Sequence, residues 1–212
     1  MRIILLGPPG AGKGTHGGTI SQLKGVPHVA SGDLFRKHQK EQTELGILAA
    51  SFMSKGDLVP DEVTIRMIEQ RLGEPDCGDG IILDGFPRTV TQATSLDKLL
   101  DSLDSKIDLV LYITVSENEL VKRLGGRITC NNCQTPYNLV SSPPKIEGVC
   151  NQCQGELYQR PDDTADAVRQ RIQVFAKQTA PLVSYYRSKD ILIEINGEQS
   201  IADVKRSLIA AI

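Results

Sequence analysis

The sequence predicts an α/β fold in which a mostly parallel β-sheet is flanked by helices. Two observations lead to this prediction. Short, continuous apolar runs recur along the chain, as is typical of parallel strands that are buried on both faces. Segments with apolar residues at helical spacing alternate with these runs, which is the pattern of repeated strand–helix–strand units.

The predicted strands are four apolar runs, each too short to be a helix of ordinary length. None approaches the roughly 20 apolar residues of a membrane-spanning helix. They are RIILL at 2–6, GIILD at 80–84, DLVLYITV at 108–115 and ILIEI at 191–195.

The predicted helices lie between these strands. In the clearest of them, 61–72, the residues Val63, Met67, Ile68 and Leu72 recur at helical spacing. The others begin after Lys13 and at Ser200, or span 91–103, 116–124 and 164–187.

Two segments interrupt the alternation. Residues 30–59 are helical and polar, and residues 126–163 are rich in Cys, Asn, Pro and Gly. Both are predicted to be insertions on the carboxyl side of the sheet, where ligands bind in such folds. The core domain is then formed by 1–29, 60–125 and 164–212.

The composition is that of a globular protein of one domain with insertions. The chain has 212 residues, of which 24% are charged, and a net charge of −2. A nucleic-acid-binding protein usually has a basic excess, so neither nucleic acid nor a membrane is an expected partner. The first residues, MRIILLG, offer too short an apolar run for a signal peptide, and we expect a cytoplasmic protein.

A glycine-rich loop, GPPGAGKGT at 7–15, follows the first predicted strand and opens a helix. Its glycines let backbone N–H groups turn inward, and the start of the helix adds partial positive charge. Lys13 can reach the β- and γ-phosphates of a nucleotide as a mobile charge. The loop therefore predicts a P-loop NTPase-like nucleotide site, with contacts from Gly10, Ala11, Gly12, Lys13, Gly14 and Thr15.

One position departs from the general phosphate-loop pattern. A Ser or Thr usually follows the lysine and ligates Mg²⁺, whereas here Gly14 follows it and Thr15 comes one residue later. The ion would then be held mostly by phosphates and water. Asp84, which ends the strand 80–84, is the candidate for orienting that water, and its alternative role is that of a strand-end turn residue.

Four cysteines form two Cys-x-x-Cys pairs separated by sixteen residues: Cys130, Cys133, Cys150 and Cys153. In a reducing cytosol this spacing favours a zinc site over two disulfides or free thiols. Sulfur would fill all four positions, so the zinc is expected to be structural. A zinc ribbon that binds nucleic acid is a remote alternative, because Lys145 is the only basic residue between the pairs.

Seven motifs, taken together and in their order along the chain, resemble those of the adenylate kinases. The resemblance covers the chain from end to end, and the cysteine segment resembles the long zinc-carrying lid of bacterial members. The motifs are GPPGAGKGT at 7–15, SGDLFR at 31–36, GDLVPDE at 56–62, LDGFPRTVTQA at 83–93, GGR at 125–127, RPDD at 160–163 and VRQR at 168–171.

The resemblance implies the reaction ATP + AMP ⇌ 2 ADP with Mg²⁺, carried out by a monomer with structural Zn²⁺. In such a protein the segment 30–59 binds AMP and the segment 126–163 closes over ATP as a lid. A kinase for another nucleoside monophosphate, UMP or CMP, is the alternative. The long lid and Gln92 favour AMP.

The family motifs imply specific roles for matching residues. The implied catalytic residues are Lys13, Arg88, Arg127, Arg160 and Arg171. Besides the phosphate loop, the implied ATP contacts are Arg123, Arg127, Pro136, Tyr137 and Gln199. The implied AMP contacts are Ser31, Arg36, Asp57, Leu58, Val59, Gly85, Phe86, Pro87, Arg88, Gln92, Arg160 and Arg171.

Some positions depart from the family or have no assigned role. Position 31 is often Thr in the family, and Ile128 stands where many relatives carry a second lid arginine. Asp162 and Asp163 are interpreted first as acids that favour a helix N-terminus. His16 directly follows the phosphate loop; an ordinary first-turn helix residue is favoured over a nucleotide contact. In the lid, YNLV at 137–140 is nearly the only apolar cluster.

Overall fold

The computed structural model describes residues 1–212. The strands are β1 Arg2–Leu6, β2 His28–Ala30, β3 Ile81–Asp84, β4 Leu109–Thr114, β5 Arg127–Cys130, β6 Pro136–Asn138, β7 Leu157–Tyr158 and β8 Leu192–Asn196. The helices are α1 Lys13–Lys24, α2 Ser31–Lys40, α3 Glu44–Met53, α4 Asp61–Leu72, α5 Val90–Asp101, α6 Glu117–Gly125, α7 Ala165–Val174, α8 Pro181–Arg187 and α9 Ile201–Ala210.

Five strands form a parallel sheet in the order β2-β3-β1-β4-β8. The central strand β1 aligns Ile4 with Leu83 of β3 and with Val110 of β4. All three of these side chains are fully buried, which explains why the strands are apolar on both faces. The predicted α/β fold and its four apolar strands are confirmed.

Strand β2 was not predicted from the sequence. It has three residues, His28 to Ala30, and pairs with β3 at the edge of the sheet. So short a strand with a polar first residue carries no periodic signal, so only its pairing partner identifies it.

Helices cover both faces of the sheet. On one face, Ile4 and Leu83 pack in a cluster with Ile68 of α4, Leu96 of α5 and Leu182 of α8. On the other face, the alternate residues of β1 pack against α1 and α9. The carboxyl ends of β1 and β3 are thereby held rigidly, and the loops that follow them start from fixed positions.

The first insertion consists of α2 and α3, which lie between β2 and α4. The second contains a three-stranded antiparallel sheet in the order β6-β5-β7. Its small core is formed by Cys130, Tyr137 and Cys150. The expectation that YNLV forms the apolar cluster of this segment is wrong for its last two residues, because Leu139 is 57% and Val140 88% exposed.

The long helical segment predicted at 164–187 is α7, a π-helical turn at Phe175–Thr179 and α8. Thr164 caps α7 by accepting a hydrogen bond from the Ala167 N–H. A 3₁₀ turn, Pro161–Asp163, precedes this cap. The interpretation of Asp162 and Asp163 as first-turn acids of the helix is therefore wrong.

Candidate nucleotide and metal sites

A single cavity of about 1150 Å³ lies at the carboxyl ends of β1 and β3. Both insertions contribute to its wall. Pockets for one drug-sized ligand usually span about 300–1,000 Å³, so this cavity is larger than a pocket for one such ligand. All predicted contact residues line the cavity except Phe86, whose side chain is buried in the core.

The phosphate loop connects β1 to α1. Gly10 and Gly12 have φ angles of 87° and 94°, in the left-handed region that favours glycine. Gly12 is the N-cap of α1 and, having no side chain, cannot satisfy the first N–H groups of the helix. These groups remain available to an anion, as the sequence predicted.

Lys13 begins α1 and folds over the loop. Its Nζ donates hydrogen bonds to the carbonyl oxygens of Gly7 at 2.8 Å and Pro8 at 3.0 Å. Burial lowers the pKa of Lys13 to about 8, since the charge of Asp84 only partly opposes the effect of burial and nearby arginines. The ammonium is therefore charged at neutral pH and still has a third N–H to offer.

Asp84 ends β3 beside the phosphate loop. A Cβ placed on Gly14 would lie 3.6 Å from Asp84 Oδ2, and His28 Nε2 lies 3.4 Å from the same oxygen. Burial would raise the pKa of Asp84, but the neighbouring His28 ring and the charge of Lys13 lower it below its ordinary value. An ionised carboxylate therefore faces the loop where residue 14 has no side chain.

Arg88 and Arg160 lack close carboxylate partners. Arg88 uses Nε to donate to the Gly85 carbonyl at 2.7 Å. Arg160 Nε is buried without a partner, and the nearest carboxylate oxygen, on Asp33, is 4.0 Å from its NH2. Burial, followed by the charges of neighbouring arginines, lowers the pKa of each to about 10. Desolvated cations without partners favour the binding of an anion.

Arg127 and Arg171 share one carboxylate. Asp163 has a fully buried side chain. It accepts hydrogen bonds from Nε and NH2 of Arg127 and, at 2.9 Å, from NH1 of Arg171. Arg171 NH1 also lies 3.0 Å from Asp162 Oδ2. These two acids therefore position two of the predicted catalytic arginines, a role that the sequence interpretation missed.

The predicted AMP contacts form a hydrogen-bonded unit after β3. Ser31 Oγ donates to the Gly85 carbonyl at 2.7 Å. Gln92 Oε1 accepts from the Arg88 N–H at 2.7 Å, and Gln92 Nε2 donates to Asp61 Oδ1 at 2.7 Å. The amide of Gln92 is thereby fixed in orientation and keeps one N–H and one lone pair. Asp61 also accepts from Thr89 and was not predicted from the sequence.

The two insertions touch each other across the cavity. Arg36 pairs with Asp33 in α2, and Arg36 Nε donates to Gln134 Oε1 in the lid at 3.2 Å. On the side of α7, Asp57 Oδ1 accepts a hydrogen bond from Gln170 Nε2 at 2.8 Å. The predicted AMP segment is thus hydrogen-bonded to other parts of the chain through Arg36 and through Asp57.

The remaining predicted ATP contacts lie at the opposite end of the cavity. Arg123 pairs with Glu119 and donates to the Gly197 carbonyl at 2.9 Å. The Tyr137 hydroxyl lies 3.4 Å from Cys150 Sγ, so its polar atom faces the lid core. Ile128 packs against the same lid core, which accounts for an apolar residue at that position. Thr15, Pro136 and Gln199 also line this part of the cavity.

The four lid cysteines are brought together. Their Sγ atoms all lie within 4.8 Å of one another, with separations of 3.4 Å for Cys130–Cys153 and 3.6 Å for Cys133–Cys150. These separations are too long for an S–S bond of about 2.05 Å. A tetrahedral ion with Zn–S bonds of about 2.3 Å would place sulfurs about 3.8 Å apart.

Backbone N–H groups point at two of these sulfurs. Those of Asn132 and Cys133 lie 3.4 and 3.5 Å from Cys130 Sγ, and that of Gln152 lies 3.4 Å from Cys150 Sγ. Such donors stabilise thiolates, the form that binds metal. The residues therefore fit a four-sulfur zinc site, and no disulfide links them.

A comparison with protein families decides which family this combination of sites belongs to. The model of the family described as Adenylate kinase matches residues 5–191. The chain belongs to the adenylate kinase family. Membership agrees with the resemblance seen in the motifs and makes the protein a phosphotransferase.

Relatives named adenylate kinase match the chain along its length. One from Methanocella arvoryzae is 47% identical over 212 residues, covering 100% of this chain and 98% of the relative. One from Desulfitobacterium hafniense is 50% identical, covering 100% of this chain and 97% of the relative. One from Caldicellulosiruptor bescii is 46% identical, covering 100% and 99%.

Proposed function

We propose that the chain transfers the terminal phosphoryl group of ATP to AMP, reversibly, and so serves adenine nucleotide homeostasis. The observation that carries this proposal is that the residues predicted to contact ATP and those predicted to contact AMP line one cavity. Arg88, Arg127 and Arg171 are all close enough to Lys13 for their charges to lower its pKa. The acceptor and donor phosphates would therefore meet within one set of cations.

ATP is assigned to the phosphate loop. The N–H groups of 10–15 and Lys13 bind its phosphates, and Arg123, Pro136, Tyr137 and Gln199 bind the nucleoside end. AMP is assigned to the other side, where Arg36 and Arg88 bind its phosphate and Gln92 contacts its adenine. Ser31, Asp57, Leu58, Val59, Gly85 and Pro87 complete that pocket, and Phe86 supports it from the core.

The chemistry requires positioning and positive charge more than covalent participation. Phosphoryl transfer has a loose transition state whose charge is spread over oxygen atoms. Arg88, Arg127, Arg160 and Arg171 each present a planar fork that can bind two of these oxygens. Mg²⁺ enters with ATP as part of the substrate, and Asp84 would orient a water on it.

Movement of the two insertions is part of the proposal. Residues 126–163 form the lid, residues 30–59 form the AMP-binding segment, and 1–29, 60–125 and 164–212 form the core domain. Lid closure is a known property of adenylate kinases, and here it would exclude water that could otherwise hydrolyse ATP. The contact of Arg36 with Gln134 supports a lid that meets the AMP segment.

Zinc is assigned to the four lid cysteines. When bound, Zn²⁺ supplies a tetrahedral cross-link in which all four positions are filled by sulfur, so no position is open for a catalytic water. The lid core has only three buried residues, and a cross-link would contribute much of the stability of the lid.

The cellular setting is inferred from the same features. Four free lid thiols suit a reducing compartment such as the cytoplasm. One chain supplies every proposed contact, so we infer a monomer. No helix combines the length and apolar character needed to span a bilayer.

The proposal is tested by comparing AMP, CMP, UMP and GMP as acceptors with ATP and Mg²⁺, with metal content measured on the same sample. We expect AMP to exceed the others in kcat/KM by at least about tenfold. Preference for UMP or CMP would establish the alternative kinase. Absence of phosphoryl transfer to every acceptor would overturn the proposal.

A further inference from the structure

His16 is a buried polar residue that the reaction as described does not use. It lies in the first turn of α1 and is 5% exposed, yet it lines the nucleotide cavity. No hydrogen bond or ion pair within the chain uses its ring. Its ring nitrogens are not among the fully buried side-chain atoms that lack a partner, so they are accessible from the cavity to a group that enters it.

The His16 ring lies beside the phosphate loop, to which the donor nucleotide is assigned. A Cβ placed on Gly12 would lie 3.5 Å from His16 Cδ2 and 3.7 Å from its Nε2, so this edge of the ring faces the phosphate loop. The charges of Arg123 and of Lys205 on α9 also act on the ring. His16 therefore lies between the phosphate loop and the nucleoside end of the cavity.

The charge of the ring indicates the kind of group it would bind. Burial, and then Arg123 and Lys205, lowers the pKa of His16 below its ordinary value, so the ring is neutral at pH 7. A neutral imidazole offers one donor and one acceptor, as a hydroxyl does. Phosphate oxygens only accept hydrogen bonds, and the neighbouring Lys and Arg side chains already supply donors for them.

We propose that His16 hydrogen-bonds a ribose hydroxyl of the nucleotide held by the phosphate loop, and so acts as a specificity residue for the donor. The inference rests on the proposed function, because it places ATP in that loop. It assigns His16 no contact with AMP and no part in the transfer itself.

The test compares ATP with 2′-deoxyATP and 3′-deoxyATP as donors, with AMP as acceptor. The wild type and two variants are used: His16→Leu, which removes both polar atoms, and His16→Gln, which keeps a donor and an acceptor. We expect wild-type kcat/KM to fall by about 3- to 10-fold for one of the two deoxy donors. The Leu variant should lose this discrimination, and the Gln variant should retain it.

Two readouts separate a ribose contact from a merely structural role. In His16→Leu the KM for ATP should rise while the KM for AMP stays within about twofold. If that variant does not fold, as judged by circular dichroism, His16→Phe and His16→Asn provide the same comparison.

The outcomes distinguish the two proposals. If wild-type protein does not phosphorylate AMP, the proposed function fails. If it does, but the Leu and Gln variants discriminate ATP from both deoxy donors as the wild type does, the assignment of His16 is overturned.

Discussion

Arg127 and Asp163 are joined by a two-pronged ion pair that links the first strand of the lid to the turn at its end. Asp163 Oδ2 accepts from Arg127 Nε at 2.7 Å, and the second carboxylate oxygen accepts from the rest of the guanidinium. Because the Asp163 side chain is fully buried, removal of its charge leaves Arg127 without a carboxylate partner and leaves Arg171 with Asp162 alone.

Asp163→Asn is expected to lower the free energy of unfolding by about 3–5 kcal/mol, because it removes the negative partner of a buried ion pair and leaves the positive one. Turnover should fall as well, since Arg127 and Arg171 lose their common anchor. Thermal unfolding and steady-state kinetics measure the two effects. The matched control is Asp166→Asn, which breaks an exposed pair with Arg169 and should cost less than about 1 kcal/mol. Equal losses in the two variants would contradict the role of Asp163.

Arg88→Ala should reduce kcat/KM for AMP by about 10³- to 10⁵-fold. Arg88→Lys should recover only part of this loss, because an ammonium cannot bind two oxygens in a planar fork. The fold should survive without nucleotide, since the Arg88 side chain makes one hydrogen bond and no ion pair.

Arg206→Ala removes an exposed arginine and serves as the control. Kinetics with AMP, together with thermal unfolding without nucleotide, test the prediction. Near-wild-type turnover of Arg88→Ala, or its unfolding, would contradict it.

The affinity for ATP should decrease as the pH rises through about 8, the pKa of Lys13. Below this pH the free protein carries the ammonium that pairs with phosphate. Above it the ammonium is lost, and nucleotide binding must take up a proton, so the KM for ATP should rise by up to about tenfold per pH unit. Measurements from about pH 7 to about pH 9, below the pKa of about 10 of Arg88 and Arg160, test this sign.

Lys13→Arg is the control for the pH effect, because an arginine side chain does not titrate in this range. The KM for ATP in this variant should be higher than in the wild type at neutral pH but nearly independent of pH. The assignment to Lys13 would be refuted by a wild-type KM that does not change across the range.

Removal of metal by a chelator should lower the thermal stability far more than the turnover at moderate temperature. The zinc is assigned to the lid core and not to the reacting phosphates, so a folded, metal-free lid can still close. Circular dichroism and the kinase assay, run on one chelated sample, separate the two effects. Immediate and total loss of activity in a protein that is still folded would refute a structural role.

Cysteine variants provide a matched test of the metal site. Cys133→Ser should lower the zinc content and the unfolding temperature. Cys77→Ser should keep the full zinc content, since Cys77 lies apart from the cluster beside Arg71. Equal zinc contents in the two variants would contradict the assigned ligands.

The parts of the fold that were predictable are those whose signal is local. The apolar runs of β1, β3 and β4 and the glycine loop each specify their structure within a few consecutive residues. Strand β2 has no such signal, because its three residues are defined by pairing with β3.

The same distinction applies to the site. Lys13, Arg88 and the cysteines belong to short motifs, whereas their supporting acids act over long separations in the chain. Asp61 holds Gln92 from 31 residues away, and Asp163 holds Arg127 from 36 residues away. Such pairs are created by the tertiary fold, and a carboxylate in a turn gives no indication of its partner.

Arg88 and Arg160, which lack close carboxylate partners, have a consequence for the whole molecule. The chain brings together guanidinium groups whose neutralisation it leaves incomplete, so nucleotide phosphates would serve as counterions for this cluster of arginines. Bound phosphates would reduce the electrostatic repulsion among these arginines. If both nucleotides bind as proposed, each would favour the arrangement of arginines that the other requires.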